Sequence, residues 1–237
     1  GTNGSAIFGT EEYNGSSWSS GGNNVCQTGE GTGRGAAGTL NAGLLMGGWP
    51  TQTWTEEYDG TNWATANSMN QTRNSAGTNG TQTAALVAGG STVPGRTSAT
   101  EEYDGTSWTT GGALSIARYV NLSAGTQNDA ITAGGFNTVT CTAVEEYNGT
   151  SWASPSNMNA CQRDATGTMF GEGSNNAMFA GGKNPNRVAT NQEWNGTAWS
   201  YEAPLPITLQ VQARIGTISA NLMTNGSIGT YTNLSQE

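Results

Sequence analysis

The chain has 237 residues, 36 of them glycine, with 34% hydrophobic residues and a formal net charge of −9. An acidic surface repels a nucleic-acid backbone, so DNA and RNA binding are not expected. Without an apolar stretch of ~18 to 20 residues, membrane insertion is not expected either. Because the chain starts at "GTNGSA", with no initiator Met or signal peptide, we expect it to be processed or excised from a longer protein.

The first predicted elements surround an octapeptide that occurs five times. It reads "EEYNGSSW" at 11–18, "EEYDGTNW" at 56–63, "EEYDGTSW" at 101–108, "EEYNGTSW" at 145–152 and "QEWNGTAW" at 192–199. An Asp-Gly or Asn-Gly pair between two apolar runs is a strong hairpin signal. We therefore predict two antiparallel strands joined by a type I′ turn, with positive φ at both central residues.

Two further features recur at fixed distances from the octapeptide. An apolar run that ends in Gly-Gly precedes it at 43–48, 85–90, 130–135 and 177–182, and an arginine follows it before a Gly-Thr strand. We therefore predict that each unit of about 45 residues folds as a four-stranded antiparallel meander. The residues that define the repeat are Tyr13, Trp18, Arg34, Tyr58, Trp63, Arg73, Tyr103, Trp108, Arg118, Tyr147, Trp152, Arg163, Trp194, Trp199 and Arg214.

The first acidic residue of each octapeptide is predicted to be buried. Side chains alternate along a strand, so this residue shares a face with the tyrosine. A buried carboxylate requires a partner, and the planar guanidinium of the repeat arginine suits it. We predict ionic staples in or between the units, formed by Glu11, Glu56, Glu101 and Glu145, with Gln192 in the fifth unit.

Units of 40 to 50 residues with four strands each are typical of β-propellers. The Gly-Gly doublet, the tyrosine, the following tryptophan and the arginine together resemble the kelch motif over essentially the whole chain. Two features depart from that motif: the tyrosine and tryptophan are closer together than in most kelch repeats, and Trp194 replaces tyrosine. The resemblance implies a single domain, 1–237, folded as a five-bladed propeller.

The two ends of the sequence predict how the ring closes. The segment "ANLMTNG" at 220–226 aligns with "AGLLMGG" at 42–48, whereas the first octapeptide has no apolar run before it. We predict one composite blade, in which C-terminal strands supply the two inner strands that the N-terminal blade lacks. Closure of this kind removes exposed sheet edges.

The loops that differ between units are the predicted binding surface. They follow the Gly-Gly doublets and the tryptophan strands, and a rigid scaffold usually presents its function in such loops. Their aromatic and basic side chains are typical of interface anchors. The candidate residues are Trp49, Trp54, Arg96, Phe136, Lys183, Asn184 and Arg187. An alternative is that the aromatics only fill gaps between blades and the basic residues are solvated loop charges.

The sequence favours a protein that is not an enzyme and has no metal or cofactor. It contains no histidine, which excludes a Ser-His-Asp triad and imidazole ligands for copper or Cys/His zinc. A glycosidase-like carboxylate pair is the enzymatic alternative, but the paired glutamates are repeated rather than unique.

The predicted function is therefore a binding or assembly module. Its composition, poor in Lys and His and rich in Asn, Thr, Ser and Gly, resembles that of kelch-like structural proteins of bacteriophages and marine viruses. This resemblance implies a virion-associated structural, decoration or host-recognition protein, located outside the cell or on the virion surface. The expected partner is a protein or a cell-surface glycan, in a larger assembly. The alternatives are a secreted or cell-surface carbohydrate-binding lectin and an intracellular partner-binding kelch domain.

Overall fold

The computed structural model describes residues 9–25, 33–139, 142–163, 170–208, 213–216, 221–224 and 235–236. Within these ranges the chain forms antiparallel β-sheets and no helix, which confirms the predicted all-β class. None of the described segments is a helix long and apolar enough to cross a bilayer.

The first two sheets come from the N-terminal part of the chain. Sheet I contains β1 (Glu11–Tyr13) and β2 (Trp18–Ser20). Sheet II contains β3 (Gly35–Thr39), β4 (Ala42–Met46), β5 (Thr55–Tyr58) and β6 (Trp63–Ala66), hydrogen-bonded in that order.

The central sheets repeat the four-stranded order of sheet II. Sheet III contains β7 (Gly77–Thr81), β8 (Ala84–Ala88), β11 (Thr100–Tyr103) and β12 (Trp108–Thr110), and the link after β8 forms a hairpin of β9 (Ser91–Thr92) and β10 (Gly95–Arg96). Sheet IV contains β13 (Leu122–Gly125), β14 (Ala130–Ala133), β15 (Val144–Tyr147) and β16 (Trp152–Ala153).

The last sheets lie in the C-terminal part of the chain. Sheet V contains β17 (Phe170–Gly173), β18 (Asn176–Ala180), β21 (Asn191–Trp194) and β22 (Trp199–Tyr201), with a hairpin of β19 (Lys183–Asn184) and β20 (Asn186–Arg187) in the link after β18. Sheet VI contains β23 (Ala213–Gly216), β24 (Asn221–Thr224) and β25 (Ser235–Gln236).

The predicted type I′ turn is wrong. Tyr58 pairs with Trp63, so the loop between them has four residues, and of its first two residues only Gly60 has positive φ, at 89°. The Asp59 carboxylate accepts the backbone N–H groups of Thr61 and Asn62, both at 2.8 Å. These hydrogen bonds lower the pKa of Asp59. The side chain thus holds the loop, which is why Asp or Asn begins it in every repeat.

The predicted ionic staples are confirmed in three sheets. Glu56, Glu101 and Glu145 are each about 1 to 2% exposed. The pairs are Arg34 with Glu56 at 3.4 Å, Arg73 with Glu101 at 2.5 Å and Arg118 with Glu145 at 3.1 Å. Each pair joins the segment before a sheet's first strand to its third strand. Burial lowers the pKa of Arg73, and the Glu101 charge acts in the opposite direction.

The assignment of Arg163 to a staple is wrong. In sheet V the amide of Gln162 donates to the carbonyls of Gly181 and Thr190 and accepts from Gln192. Arg73 donates to the equivalent carbonyls of Gly89 and Ala99. A neutral glutamine pair thus replaces the ion pair, and Arg163 is one position further along the chain. The predicted pairing of Arg214 lies outside the described side chains.

Neighbouring sheets are joined by contacts that the sequence did not predict. The tyrosine of one octapeptide donates its hydroxyl to the second glutamate of the preceding one, and the tryptophan donates its indole N–H to the threonine before that glutamate pair. The tyrosine contacts are Tyr58 to Glu12, Tyr103 to Glu57 and Tyr147 to Glu102; the tryptophan contacts are Trp63 to Thr10, Trp108 to Thr55 and Trp152 to Thr100.

Between sheets IV and V the tryptophan contact is interrupted. Val144 occupies the place of the threonine, and the buried indole N–H of Trp199 has no hydrogen-bond acceptor among the described residues. We expect Val144→Thr to raise the free energy of unfolding by about 1 kcal/mol, because a hydroxyl would satisfy this donor. Urea denaturation measures the change. The matched control, Thr100→Val, should lower it by about 1 to 3 kcal/mol; an unchanged Thr100→Val variant would contradict the role of this contact.

The tyrosine contacts predict a loss of stability at high pH. Burial, together with the hydrogen bond to Glu102, raises the pKa of Tyr147 to about 12. Since an unfolded tyrosine titrates near pH ~10, the folded state holds this proton more tightly. The contribution of the Tyr147 contact to the free energy of unfolding is therefore complete below pH ~10 and is lost as the pH rises toward 12. Thermal melts should show a falling Tm over this range, with a shallower fall for Tyr147→Phe. Complete tyrosine ionisation near pH ~10, followed in the native protein at 295 nm, would contradict this.

The first strands of sheets II to VI lie side by side in chain order. β3 contacts β7, β7 contacts β13, β13 contacts β17, and β17 contacts β23. The predicted pairing between β24 and β1 is not formed among the described strands, because β24 pairs with β25 on that side and β1 pairs with β2.

Candidate functional site

Three cations stand directly opposite one another on the loop face of sheet V, the face formed by the links after the Gly-Gly doublets and after the tryptophan strands. Arg163 and Lys183 exchange backbone hydrogen bonds of 3.2 and 2.8 Å, and Lys183 pairs with Arg187 across the β19–β20 hairpin. Residues directly opposite on antiparallel strands project to the same side, and like charges placed there repel. We call Arg163, Lys183 and Arg187 the cation row.

Aromatic side chains of sheet IV connect the cation row to a fourth cation. The Arg163 guanidinium lies 4.4 Å from the centre of the Phe136 ring, and the Arg96 guanidinium lies 5.6 Å from it. Arg96 is also 5.9 Å from the Tyr119 ring, which packs edge-on against Phe136 at 5.6 Å. Such cation–π contacts hold a guanidinium in place over an aromatic ring. Arg96 also donates to the backbone and side-chain oxygens of Asn137.

Equivalent backbone positions carry different chemistry in neighbouring sheets. In sheet III they are Asn74, Ser91 and Arg96, joined by the same bridge and hairpin pairing. In sheet IV the bridge joins Tyr119 to Phe136. The backbone is therefore repeated while the side chains are not. The side chains of this surface therefore vary from sheet to sheet, whereas the staple side chains recur because the buried glutamates of the fold need partners.

The described cations that are not in staples all lie at this surface. The chain has eight Lys and Arg residues against seventeen Asp and Glu. Arg34, Arg73 and Arg118 lie in the buried staples. Among the cations whose side chains are described, the others are Arg96, Arg163, Lys183 and Arg187, and all four belong to the loop face. Within the described part of the chain, the cations outside the staples therefore lie on the loop face.

The structure brings together four of the seven candidate residues. Arg96, Phe136, Lys183 and Arg187 meet at this surface, and Asn184 is exposed at the hairpin beside them. Trp49 is 54% exposed at the corner after β4. Trp54 is partly buried and lines a narrow gap in sheet II with Arg34 and Glu56.

Two residues of the surface were missed from the sequence. The repeat pattern places Arg163 in a staple, and it gives Tyr119 no role. The signal for Arg163 was present, since Gln192 supplies no carboxylate for an arginine to pair with. Tyr119 has no such signal, because its contact with Phe136 depends on the backbone bridge between the two residues.

The cations of this surface are side chains of the kind that can bind negative charge. A guanidinium donates in parallel to two oxygens of a carboxylate or sulfate, and lysine adds a mobile point charge. Among the described residues no group of three or more His, Cys, Asp or Glu side chains is arranged to hold a metal ion. The sequence matches no model of a known protein family and no curated protein.

Proposed function

We propose that the protein is a non-enzymatic binding module that recognises a negatively charged partner through its loop face. The observation that carries this proposal is the convergence of Arg96 with the cation row around Phe136. Four cations, one from sheet III and three from sheet V, form a basic surface around Phe136 of sheet IV, in a chain with a net charge of −9. Such a surface attracts anionic partners and orients them by bidentate hydrogen bonds.

The scaffold proposed for this surface is a kelch-like propeller of five blades. Supporting it, the first strands of sheets II to VI, β3, β7, β13, β17 and β23, follow one another side by side. Sheet I packs on sheet II through the same tyrosine and tryptophan contacts that join sheets II to IV. Tyr13 and Trp18 are 46% and 67% exposed, whereas Tyr103 and Trp108 are 1% and 6% exposed. Pairing of β24 with β1 would close the ring. Sheet V would then cover Tyr13 and Trp18.

The proposed setting is the outside of a virion or cell. A virion-associated structural, decoration or host-recognition protein requires a rigid scaffold with variable loops, and the composition of this chain resembles such phage proteins. The partner that suits the basic surface is an acidic cell-surface glycan carrying carboxylate or sulfate groups. The alternative is a secreted lectin in which equivalent blades bind equivalent sugars; the differing side chains of sheets III, IV and V favour one site over five.

A glycan array with neutral, sialylated and sulfated members tests this function. We expect binding to acidic glycans, weakened at least about tenfold in Lys183→Ala/Arg187→Ala because two charge-assisted contacts are lost. Raising the NaCl concentration to 0.5 M should weaken it as well, since salt screens charges that solvent can reach.

Trp49→Ala is the matched control, since it removes an exposed aromatic of the same face but leaves the charges. It should bind as the unmodified protein does. Equal binding of sialylated and neutral glycans, or full binding by the double variant, would overturn the proposal. If the folded protein binds no glycan on the array, an assembly role with a protein partner is favoured.

A further inference from the structure

The junction between sheets IV and V lacks polar contacts that fill the junctions of sheet III with sheets II and IV. Where sheet III meets sheet II, the amide of Gln82 donates to the carbonyls of Gly43 and Tyr58, at 3.0 and 2.8 Å. Where sheet IV meets sheet III, Gln127 donates in the same way to Ala85 and Tyr103. Together with the tyrosine hydroxyl described above, this glutamine closes the space between two sheets at the face opposite the loop face.

Both groups are replaced where sheet V meets sheet IV. Ser174 stands at the place of the glutamine and has no amide to donate. Trp194 stands at the place of the tyrosine, and its indole N–H donates to the carbonyl of Ser174 at 2.8 Å. Glu146, the glutamate that would receive the tyrosine hydroxyl, has a buried Oε1 that accepts no hydrogen bond among the described residues.

These replacements coincide with a cavity of about 310 Å³. Polar side chains dominate its lining: Asn128, Asp129, Glu146, Asn148, Ser151 and Ser174. Asp129 is held in place, because its Oδ1 accepts the backbone N–H of Ser174 at 2.8 Å. Small-molecule pockets start at roughly 300 Å³, so the space suits a ligand of monosaccharide size.

We propose that this cavity binds a neutral saccharide unit, with one sugar hydroxyl donating to Glu146 as the tyrosine hydroxyl does at the other junctions. Asp129 accepts a second hydroxyl, and the amides of Asn128 and Asn148 supply both donors and acceptors. The other junctions support this ligand class, because there the same carboxylate receives a neutral O–H donor. Two neighbouring carboxylates disfavour an anionic ligand, so this site is distinct in position and charge from the loop face.

Burial and charge at the site agree with a neutral hydroxyl donor. Burial raises the pKa of Glu146, the Trp194 indole N–H beside the carboxylate lowers it, and the charge of Asp129 raises it. This N–H makes its 2.8 Å hydrogen bond to the Ser174 carbonyl, which leaves Oε1 of Glu146 without a donor among the described residues. A hydroxyl that donates to the carboxylate relieves part of the cost of burying it.

The test measures glycoside binding in the unmodified protein and in variants that carry the repeat residues of the neighbouring junctions. In ¹⁵N-labelled protein, methyl glycosides of glucose, galactose, mannose and N-acetylglucosamine are titrated while the amide signals of Asn128, Asn148 and Ser174 are followed. We expect at least one glycoside to shift these signals with a millimolar Kd. Ser174→Gln and Trp194→Tyr should each weaken that binding at least about tenfold, because they return the amide or hydroxyl that fills the other junctions.

Two controls separate this site from the loop face and from folding. Lys183→Ala/Arg187→Ala should leave glycoside binding unchanged, so the loop-face proposal and this one fail independently. If Trp194→Tyr lowers Tm because the ring is smaller, Ser174→Gln provides the same test without a loss of apolar volume. Three results would overturn the proposal: no shift of these amides at 100 mM of any glycoside, unchanged binding in Ser174→Gln, or shifts caused by CaCl₂ and by none of the glycosides.

Discussion

Replacing Arg118 by Met should lower the free energy of unfolding by about 3 to 5 kcal/mol, because it leaves the Glu145 carboxylate buried without its cation. Both side chains are at most 1% exposed and lie 3.1 Å apart. Glu145 keeps a hydrogen bond from the backbone N–H of Ser115 at 2.7 Å, which does not neutralise its charge. Urea denaturation followed by tryptophan fluorescence measures the difference.

The fifth sheet supplies the control for this prediction. There, Gln162 and Gln192 take the places of the arginine and the glutamate with the same carbonyl contacts. The double variant Arg118→Gln/Glu145→Gln should therefore recover most of the loss, to within about 1 to 2 kcal/mol of the unmodified protein, since removing both charges leaves no buried ion. Gln192→Glu should destabilise sheet V for the opposite reason. A double variant as unstable as Arg118→Met would show that the ion pair itself is needed.

A disulfide between Glu11→Cys and Met223→Cys should raise the free energy of unfolding by on the order of 5 kcal/mol if the ring closes, because it restricts a very long loop of the unfolded chain. In sheet II, Leu45 pairs with Glu56, and the repeat alignment gives Met223 and Glu11 the same relation. Spontaneous oxidation is measured by thiol titration and stability by urea denaturation, with Cys26, Cys141 and Cys161 replaced by Ser in every variant.

The competing pairing provides a matched control. Met223 pairs with Gln236 in sheet VI, so Met223→Cys/Gln236→Cys probes the same strand against its other neighbour. A closed ring predicts that the pair with position 11 oxidises more readily. If only the pair with position 236 forms a disulfide, β24 retains its pairing with β25 and the composite blade does not exist.

The sequence was sufficient for features that depend on local spacing. The apolar runs ending in Gly-Gly form β4, β8, β14 and β18, and each described octapeptide forms a hairpin, because period-two alternation and turn residues act within a few positions of one another. Burial of the first glutamate, which shares a face with the tyrosine, is confirmed for Glu56, Glu101 and Glu145, whereas Glu11 in sheet I is exposed. The arginine partner of the buried glutamates followed from the cost of burying a charge alone.

Turn geometry and the fifth unit show the limits of that reasoning. Asp59-Gly60 indicated a hairpin, but the side chain of Asp59 stabilises a four-residue loop instead of a type I′ turn. Arg163 matched the repeat by residue type, whereas the hydrogen bonds place Gln162 in the staple. In both cases the hydrogen-bonding side chain decided the outcome, and spacing alone does not show which of two neighbouring residues points inward.

By itself, the sequence determined the period, the strands and the charge that each strand buries, because these follow from alternation along one segment. The tertiary structure decided which sheets face each other. Only that arrangement placed Arg96, Phe136 and the cation row together, and only it left Glu146 beside a cavity where other junctions place a tyrosine hydroxyl. The physical reason is distance along the chain: these contacts join residues separated by tens of positions, and local propensities carry no information about them.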